Sequence, residues 1–488
     1  MKTEKPISQK HIAILGAGPA GLMAAWELVE AGHKVTLIEK ADHVGGMCAT
    51  QTFQGKHGEY RFDFGGHRFI TKNPKLLNFV DTLMGDDLLY AQRKSVIRYK
   101  GRIYQYPLAL MDLIKNAPMP LLIGGGVDLL KQLFKAKPKD QSSVSFAEWI
   151  ESRFGKTLYK HFFEGYTAKL WGIDPKFLSG DWASQRISLM DLKDVARRLL
   201  PGRQSSVRTY ARQYRYPKMG FGQLYTRLGE ELVKKGVEIK LNSEVSGVSI
   251  AADNRIESVQ YTVPDTPDTP DTPDTPDYVG TVACDEVIST LPLSIMCDLT
   301  GFDSKLEFRS LRFMNMPMET DNISDNTWQY LSDPEMLGTR LQEPKRRSSF
   351  MAPEGRSSVM VEIPCDKNDE TWTMAGDKLQ TRILEDLDAL GVDKKLATGE
   401  YFTSYTEHAY PLMDMTYQSK REKAITHLCQ FDNLIMTGRQ GTFRYIFTDT
   451  AMEMGMMAAQ SVLDGKDRRR EIFDFRNEKV VLEVQSVA

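Results

Sequence analysis

An α/β architecture is expected: a Rossmann-like dinucleotide-binding domain interrupted by a helical insertion and an antiparallel-sheet substrate lobe. Three features of the sequence carry that expectation. Residues 11 to 39 read as strand, glycine turn, helix and strand; Pro107 to Leu200 places apolar residues three and four apart; and alternating apolar runs occupy much of the remainder. With 488 residues the chain is longer than one hydrophobic core usually serves, so two or three lobes are expected.

The first strand is HIAIL at residues 11 to 15, the helix covers Leu22 to Leu28, and Lys34 to Glu39 (KVTLIE) is the second strand. Tyr60 to Phe69 and Ser95 to Tyr106 have strand character, the latter turning at Gly101. The insertion contains SFAEWIESRFG and DLKDVARRLL, both at helical spacing. Its most apolar stretch, Met119 to Leu130, reads as a buried or loosely packed helix, with contact to a membrane surface as the alternative. Gln223 to Lys235 is helical again, and VEIKLNSEVSGVSI and RIESVQYTV alternate as strands. The repeat PDTPDTPDTPDTPDY at 264–278 is expected to be an exposed hairpin tip, because each proline removes a ladder donor. The expected organisation is a discontinuous cofactor domain over 1–95, 205–304 and 401–470, a mainly helical substrate domain over 96–204, and a mixed β/α lobe over 305–400.

A net charge of −2, with 26% charged and 41% hydrophobic residues, gives no sign of a nucleic-acid surface or of global disorder. An anionic substrate must then be met by local arginines and lysines. The five cysteines are odd in number and widely spaced, with no CxxC, and read as reduced thiols. The polar start MKTEKPISQK and the lack of a long apolar run predict a cytoplasmic protein without a transmembrane segment. The eight histidines lack ligand spacing, so no metal is expected, and no GxSxG elbow suggests a serine hydrolase.

The run Gly16-Ala17-Gly18-Pro19-Ala20-Gly21 matches GxGxxG between strand and helix, with Glu39 eighteen residues after Gly21. Gly16 permits the tight turn, Gly18 lets the backbone near a pyrophosphate, Gly21 lets helix and strand close up, and the helix start offers N–H groups to phosphate. Glu39 would accept ribose hydroxyls, with Lys40 beside it. Gly45-Gly46 resembles the second glycine signature of two-dinucleotide-binding-domain flavoproteins. A glycine loop and helix at Gly438 to Gly455 would aim a positive helix end at a flavin, which selects FAD over NAD.

Four blocks resemble UDP-galactopyranose mutase and its relatives within the flavin-containing amine oxidase and protoporphyrinogen oxidase-like superfamily. DFGGHRF, with Gly66 and His67, resembles the segment whose histidine lies by the flavin. FFEGYTAKLWG resembles GYTxKxWG, which implies that Tyr166 and Trp171 line a nucleotide-sugar cleft. Tyr216 to Gln223 is similar to the PKxGxxQ turn. Gly438 to Tyr445 (GRQGTFRY) is similar to GRxGTYRY. The resemblance runs from about residue 10 to 465 with the blocks in family order, and implies reduced FAD acting on a UDP-sugar with no net redox change. Two residues after Tyr445 stands Phe447, where those enzymes carry an acid, with Asp449 two further on.

Within that reading Arg186 and Arg439 are the candidates for a diphosphate, since a guanidinium fork suits phosphate oxygens. Tyr410 and Tyr445 would donate phenolic hydrogen bonds to it, Trp171 and Tyr166 would offer flat faces to a base or sugar, and His67, Arg439 and Tyr445 are the catalytic candidates. The competing expectation is a true FAD-dependent oxidoreductase with an apolar cleft.

Overall fold

The computed structural model describes residues 9–106, 110–133, 143–182, 213–264 and 278–475. Its first sheet is parallel, in the order Leu434–Met436, Glu286–Ser289, His11–Leu15 (β1), Lys34–Ile38 (β2), Glu238–Lys240. Ile12, Ile14, Val35 and Leu37 are buried because helices cover the sheet, which explains why these strands read as nearly unbroken apolar runs. Helix α1, Pro19–Glu30, begins with proline at its first turn, where the missing N–H costs nothing. It packs on the long helix Thr448–Asp464, where a Cβ on Gly455 would lie 2.1 Å from the Ala20 carbonyl oxygen.

The second large sheet has seven strands in the order Phe402–Pro411, Phe308–Met318, Ser357–Cys365, Arg340–Gln342, Trp328–Leu331, Ser95–Tyr99, Arg102–Gln105. Only the pairing of Trp328–Leu331 with Ser95–Tyr99 is parallel. Helix Gly376–Ala389 covers one face through Leu379, Ile383 and Leu387, packed on Met314, Met316, Val359 and Val361. The opposite face, reached by the alternate residues Arg340, Glu362 and Tyr410, looks into the cavity.

This sheet moves the expected lobe boundaries. It draws in Ser95–Tyr99 and Arg102–Gln105 from the segment expected to begin a helical domain, and Phe402–Pro411 from the segment assigned to the cofactor domain. The reason is hydrogen bonding: the buried strand Phe308–Met318 takes a partner along each edge, Ser357–Cys365 on one and Phe402–Pro411 on the other. The expected strand Tyr60 to Phe69 also stops early, at Asp63, because Gly65 adopts φ +120° and breaks the ladder; Phe69 then makes one isolated bridge to Arg215.

The insertion is helical over Leu110–Asn116, Met119–Leu133, Phe146–Phe154 and Gly165–Trp171. Ser145 and Glu148 form a capping box on the third of these. Met119–Leu133 is a helix as expected; Leu121 is buried, but Met119, Ile123, Val127 and Leu130 are exposed. Arg186, the segment DLKDVARRLL and residues 265–277 of the PDT repeat lie outside the described residues; the strands flanking the repeat pair antiparallel, Val263 opposite Tyr278. Among the described residues no helix is long and apolar enough to cross a membrane, and no group of three or more His, Cys, Asp or Glu is placed to hold a metal.

Candidate functional site

A cavity of about 1040 Å³ runs between the two sheets. At one end it is lined by Gly16, Gly18, Pro19, Ala20, Glu39, Lys40 and Gly46. Gly16 adopts φ +96°, and a Cβ there would lie 2.2 Å from Thr290 Oγ1. A Cβ on Gly21 would lie 2.1 Å from the Gly16 carbonyl oxygen, so Gly21 shapes the turn from behind and does not line the cavity. The Cβ position of Gly18 meets nothing within 4 Å, leaving the backbone bare toward the cavity at the start of α1. Glu39 accepts hydrogen bonds from Ala17 N–H at 2.7 Å and Ala41 N–H at 3.0 Å, which braces the turn and aims the carboxylate into the cavity. Lys40 pairs with Glu244 at 2.8 Å on the same rim. Gly45 donates its N–H to Ala17 O at 2.8 Å, so the second glycine pair folds back onto the first.

The turn Gly438–Gly441 and the start of helix Thr448–Asp464 also face the cavity, through Gly438, Arg439, Phe447, Thr448 and Ala451, beside the start of α1: a Cβ on Gly438 would lie 3.1 Å from Ala20 Cβ. A bare backbone turn beside one helix start, an acid at the end of β2 and a second helix start alongside the first together fit a flavin dinucleotide. Gly16, Gly18, Pro19, Ala20, Glu39 and Gly46 would hold the adenosine and pyrophosphate, and Gly66, His67, Gly438 and Arg439 the ring system.

His67 stands on the loop after Gly65-Gly66. Its ring stacks on Phe221, centroids 5.3 Å apart, and Nε2 lies 3.0 Å from the Phe64 carbonyl oxygen. Burial pulls its pKa down to about 4 against the opposing pull of Asp63, so the imidazole is neutral at pH 7.

Arg439 donates from Nη2 to Ala409 O at 2.8 Å, and its guanidinium carbon lies 4.1 Å from the Tyr445 ring centroid and 5.5 Å from that of Tyr410. The two tyrosines stack at 5.4 Å. Arg340, directly opposite Glu362 across its strand pair, bonds that carboxylate at 2.7 Å and the Tyr410 hydroxyl at 3.3 Å. Burial raises the Glu362 pKa, Arg340 and Arg347 oppose that, and Gln342 donates to the same carboxylate. Arg340 Nε and Arg439 Nε are buried with no hydrogen-bond partner among the described residues.

The structure therefore brings His67, Arg439, Tyr410 and Tyr445 onto one wall, and leaves two expected contacts off it. Trp171 is 1% exposed and packs between Trp182 at 5.3 Å and Tyr410 at 5.8 Å; the left-handed Gly172, with the Arg309 guanidinium stacked against it, ends the helix before the indole can reach the cavity. Tyr166 stands behind Tyr330, centroids 6.2 Å apart. Arg340, Glu362, Trp328 and Tyr330 line the cavity and were missed by sequence reasoning. A signal existed for one of them, since Glu362 is the lone charge in SSVMVEIPC.

Lys169 of the same GYTAKLWG block makes no contact with the cavity. Its ammonium, with three N–H donors, lies within hydrogen-bond distance of four backbone carbonyls, of Leu331 and Asp333 at 2.8 Å, Gly338 at 2.9 Å and Met336 at 3.1 Å, tying the helix to the loop that leads into Arg340. Phe447 lines the cavity at the position where an acid was expected. Asp449 is 3% exposed and does not line the cavity; burial pushes its pKa up to about 7.

Comparison with known proteins agrees with this geometry. The family model for flavin containing amine oxidoreductases matches residues 19–463. A probable UDP-galactopyranose mutase of Klebsiella pneumoniae is 30% identical over 176 residues, 35% of this chain and 44% of that one. A dTDP-fucopyranose mutase of Escherichia coli is 32% identical over 165 residues, 34% of this chain and 42% of that one. The aligned segments thus span less than half of either relative. A crystal structure of reduced UDP-galactopyranose mutase superposes with TM-score 0.77 at 21% identity, covering 98% of this chain and all of that one. The chain belongs to the flavin containing amine oxidoreductase family, and FAD is its cofactor.

Proposed function

We propose that the protein is a flavin-dependent nucleotide-sugar mutase that interconverts the pyranose and furanose forms of a UDP-sugar resembling UDP-galactose. One observation carries the reading: the wall facing the cofactor cradle is made of Arg439, Arg340, Tyr410 and Tyr445, converging hydrogen-bond donors with buried guanidinium nitrogens left unpartnered among the described residues. Such a wall suits a diphosphate, because two guanidinium groups and two phenols present charge and donors to its oxygens. The mutase relatives and the fold support the same reading.

In this mechanism Arg340 and Arg439 hold the diphosphate through its departure and return, and the Tyr410 and Tyr445 hydroxyls donate to its oxygens. Glu362 holds Arg340 in place. Neutral His67 offers one nitrogen as donor and one as acceptor beside the cofactor. When bound, reduced FAD would supply nucleophilic chemistry at the anomeric carbon with no net consumption of redox equivalents.

Phe447 at the expected acid position favours a second reading, an FAD-dependent oxidoreductase, because it removes a charge from the wall and adds apolar surface. The two are separated by incubating dithionite-reduced protein anaerobically with UDP-galactopyranose and resolving products by anion exchange, with an oxidised control. A furanose isomer only in the reduced sample is the mutase result. No isomer from any UDP-sugar, together with no change of the flavin spectrum on adding UDP, refutes it.

A further inference from the structure

The helix Met119–Leu133 is built inside out. Its inner face carries Leu121 and the glycines Gly124 and Gly125, whose Cβ positions lie 3.1 Å from Thr157 Cγ2 and 3.3 Å from Leu158 Cδ2. Its outer face carries Met119, Ile123, Val127 and Leu130, at helical spacing and 64, 62, 44 and 60% exposed. Asp128, its one acid, is turned inward, where its carboxylate accepts from Thr157 N–H at 2.8 Å. Two further large apolar residues are exposed on the preceding elements. Ile114 on helix Leu110–Asn116 and Ile103 on the hairpin strand beside it are 48 and 47% exposed, and Arg102 of that strand donates to Asn116 O at 2.8 Å, joining the two elements.

Basic residues surround this surface. Lys100, Arg102 and Lys115 lie on the same hairpin and helix, and Lys131 lies in the last turn of the exposed helix. A solvent-facing apolar stripe of this size, flanked by Lys100, Arg102, Lys115 and Lys131 in a chain whose net charge is −2, has the chemistry of a surface that enters the headgroup region of a bilayer. The apolar side chains leave water while the lysines meet anionic lipid, each lysine strengthening attachment several-fold at low salt.

We propose that Met119–Leu133 docks the protein peripherally on an anionic lipid surface, without spanning it. The test is co-sedimentation of the FAD-loaded protein with phosphatidylcholine vesicles and with vesicles containing about a third phosphatidylglycerol. The proposal expects at least tenfold more binding to the anionic vesicles, weakened by salt, and loss of binding of about tenfold in the double variant Ile123→Asp, Leu130→Asp. Both positions are exposed, so FAD content and melting temperature of the variant stay at wild-type values. Absence of binding to either vesicle, or equal binding by wild type and variant, overturns the proposal. It is also overturned if light scattering shows a wild-type oligomer that the double variant dissociates with no vesicle binding by either, which assigns the stripe to a second copy of the chain.

Discussion

Replacing Lys169 by methionine removes an ammonium whose surroundings are four backbone carbonyl oxygens at 2.8 to 3.1 Å. Methionine fills similar volume, so the loss is electrostatic and not a cavity. The carbonyls of Leu331, Asp333, Met336 and Gly338 lose a charged donor they share, and each buried acceptor left unpaired costs on the order of 1 kcal/mol or more, as does each charge-assisted bond lost. Partial access of water to the loop offsets some of this, which places the expected destabilisation at about 3 to 5 kcal/mol. The loop then frees Gly338 and Thr339, from which Arg340 is launched toward Tyr410 and Glu362. Urea unfolding of the FAD-loaded variant should show the lowered midpoint, and titration with UDP should show weaker binding at unchanged FAD content. Destabilisation below about 1 kcal/mol with normal UDP affinity would refute the reasoning, because it would mean the four contacts contribute nothing net.

Asp449 gives a pH prediction. Its folded pKa is raised to about 7 from 3.8, so the native state keeps a proton that the unfolded chain releases, and stability falls as pH rises from about 4 to 7. Asp449→Asn should match wild type near pH 4 and exceed it at pH 8 by up to roughly 4 kcal/mol, read as a higher melting temperature at pH 8 alone. Gly21→Ala places a methyl 2.1 Å from a backbone oxygen, and overpacking of about 1 to 3 kcal/mol should appear as a lower melting temperature with at least tenfold weaker FAD retention on dialysis. Arg439→Ala should weaken UDP binding by roughly 10- to 100-fold and Tyr445→Phe by less, with FAD content preserved in the latter, measured by flavin fluorescence titration. Because burial holds His67 near pKa 4, the flavin spectrum should not titrate through this residue between pH 6 and 9; a His67-dependent transition there, absent in His67→Gln, would contradict its neutral state.

The cofactor end was legible because its chemistry is local. Gly16, Gly18, Gly21 and Glu39 lie within one strand–helix–strand unit, and their spacing states the turn, the close approach and the acid without reference to the rest of the chain. The substrate wall is assembled from distant strands, and Arg340 meets Glu362 only through sheet register, which spacing in the sequence does not encode. The same limit misplaced Trp171, whose motif is clear but whose direction is set by Gly172 and Arg309. In Met119–Leu133 composition pointed inward, as apolar runs usually do, whereas Leu121 and the glycines took the packed face and left Met119, Ile123, Val127 and Leu130 outside. Asp449 is near Tyr445 in sequence, yet helical geometry turns it away from the cavity and presents Phe447.

The redox-neutral assignment is tested most directly by counting turnovers per reducing equivalent. Protein reduced anaerobically with one electron pair per FAD is given excess UDP-galactopyranose, and the furanose formed is quantified while the flavin absorbance is followed. The account predicts many product molecules per flavin with the flavin still reduced at the end. No furanose beyond that of the oxidised control, with the flavin still reduced, would contradict it.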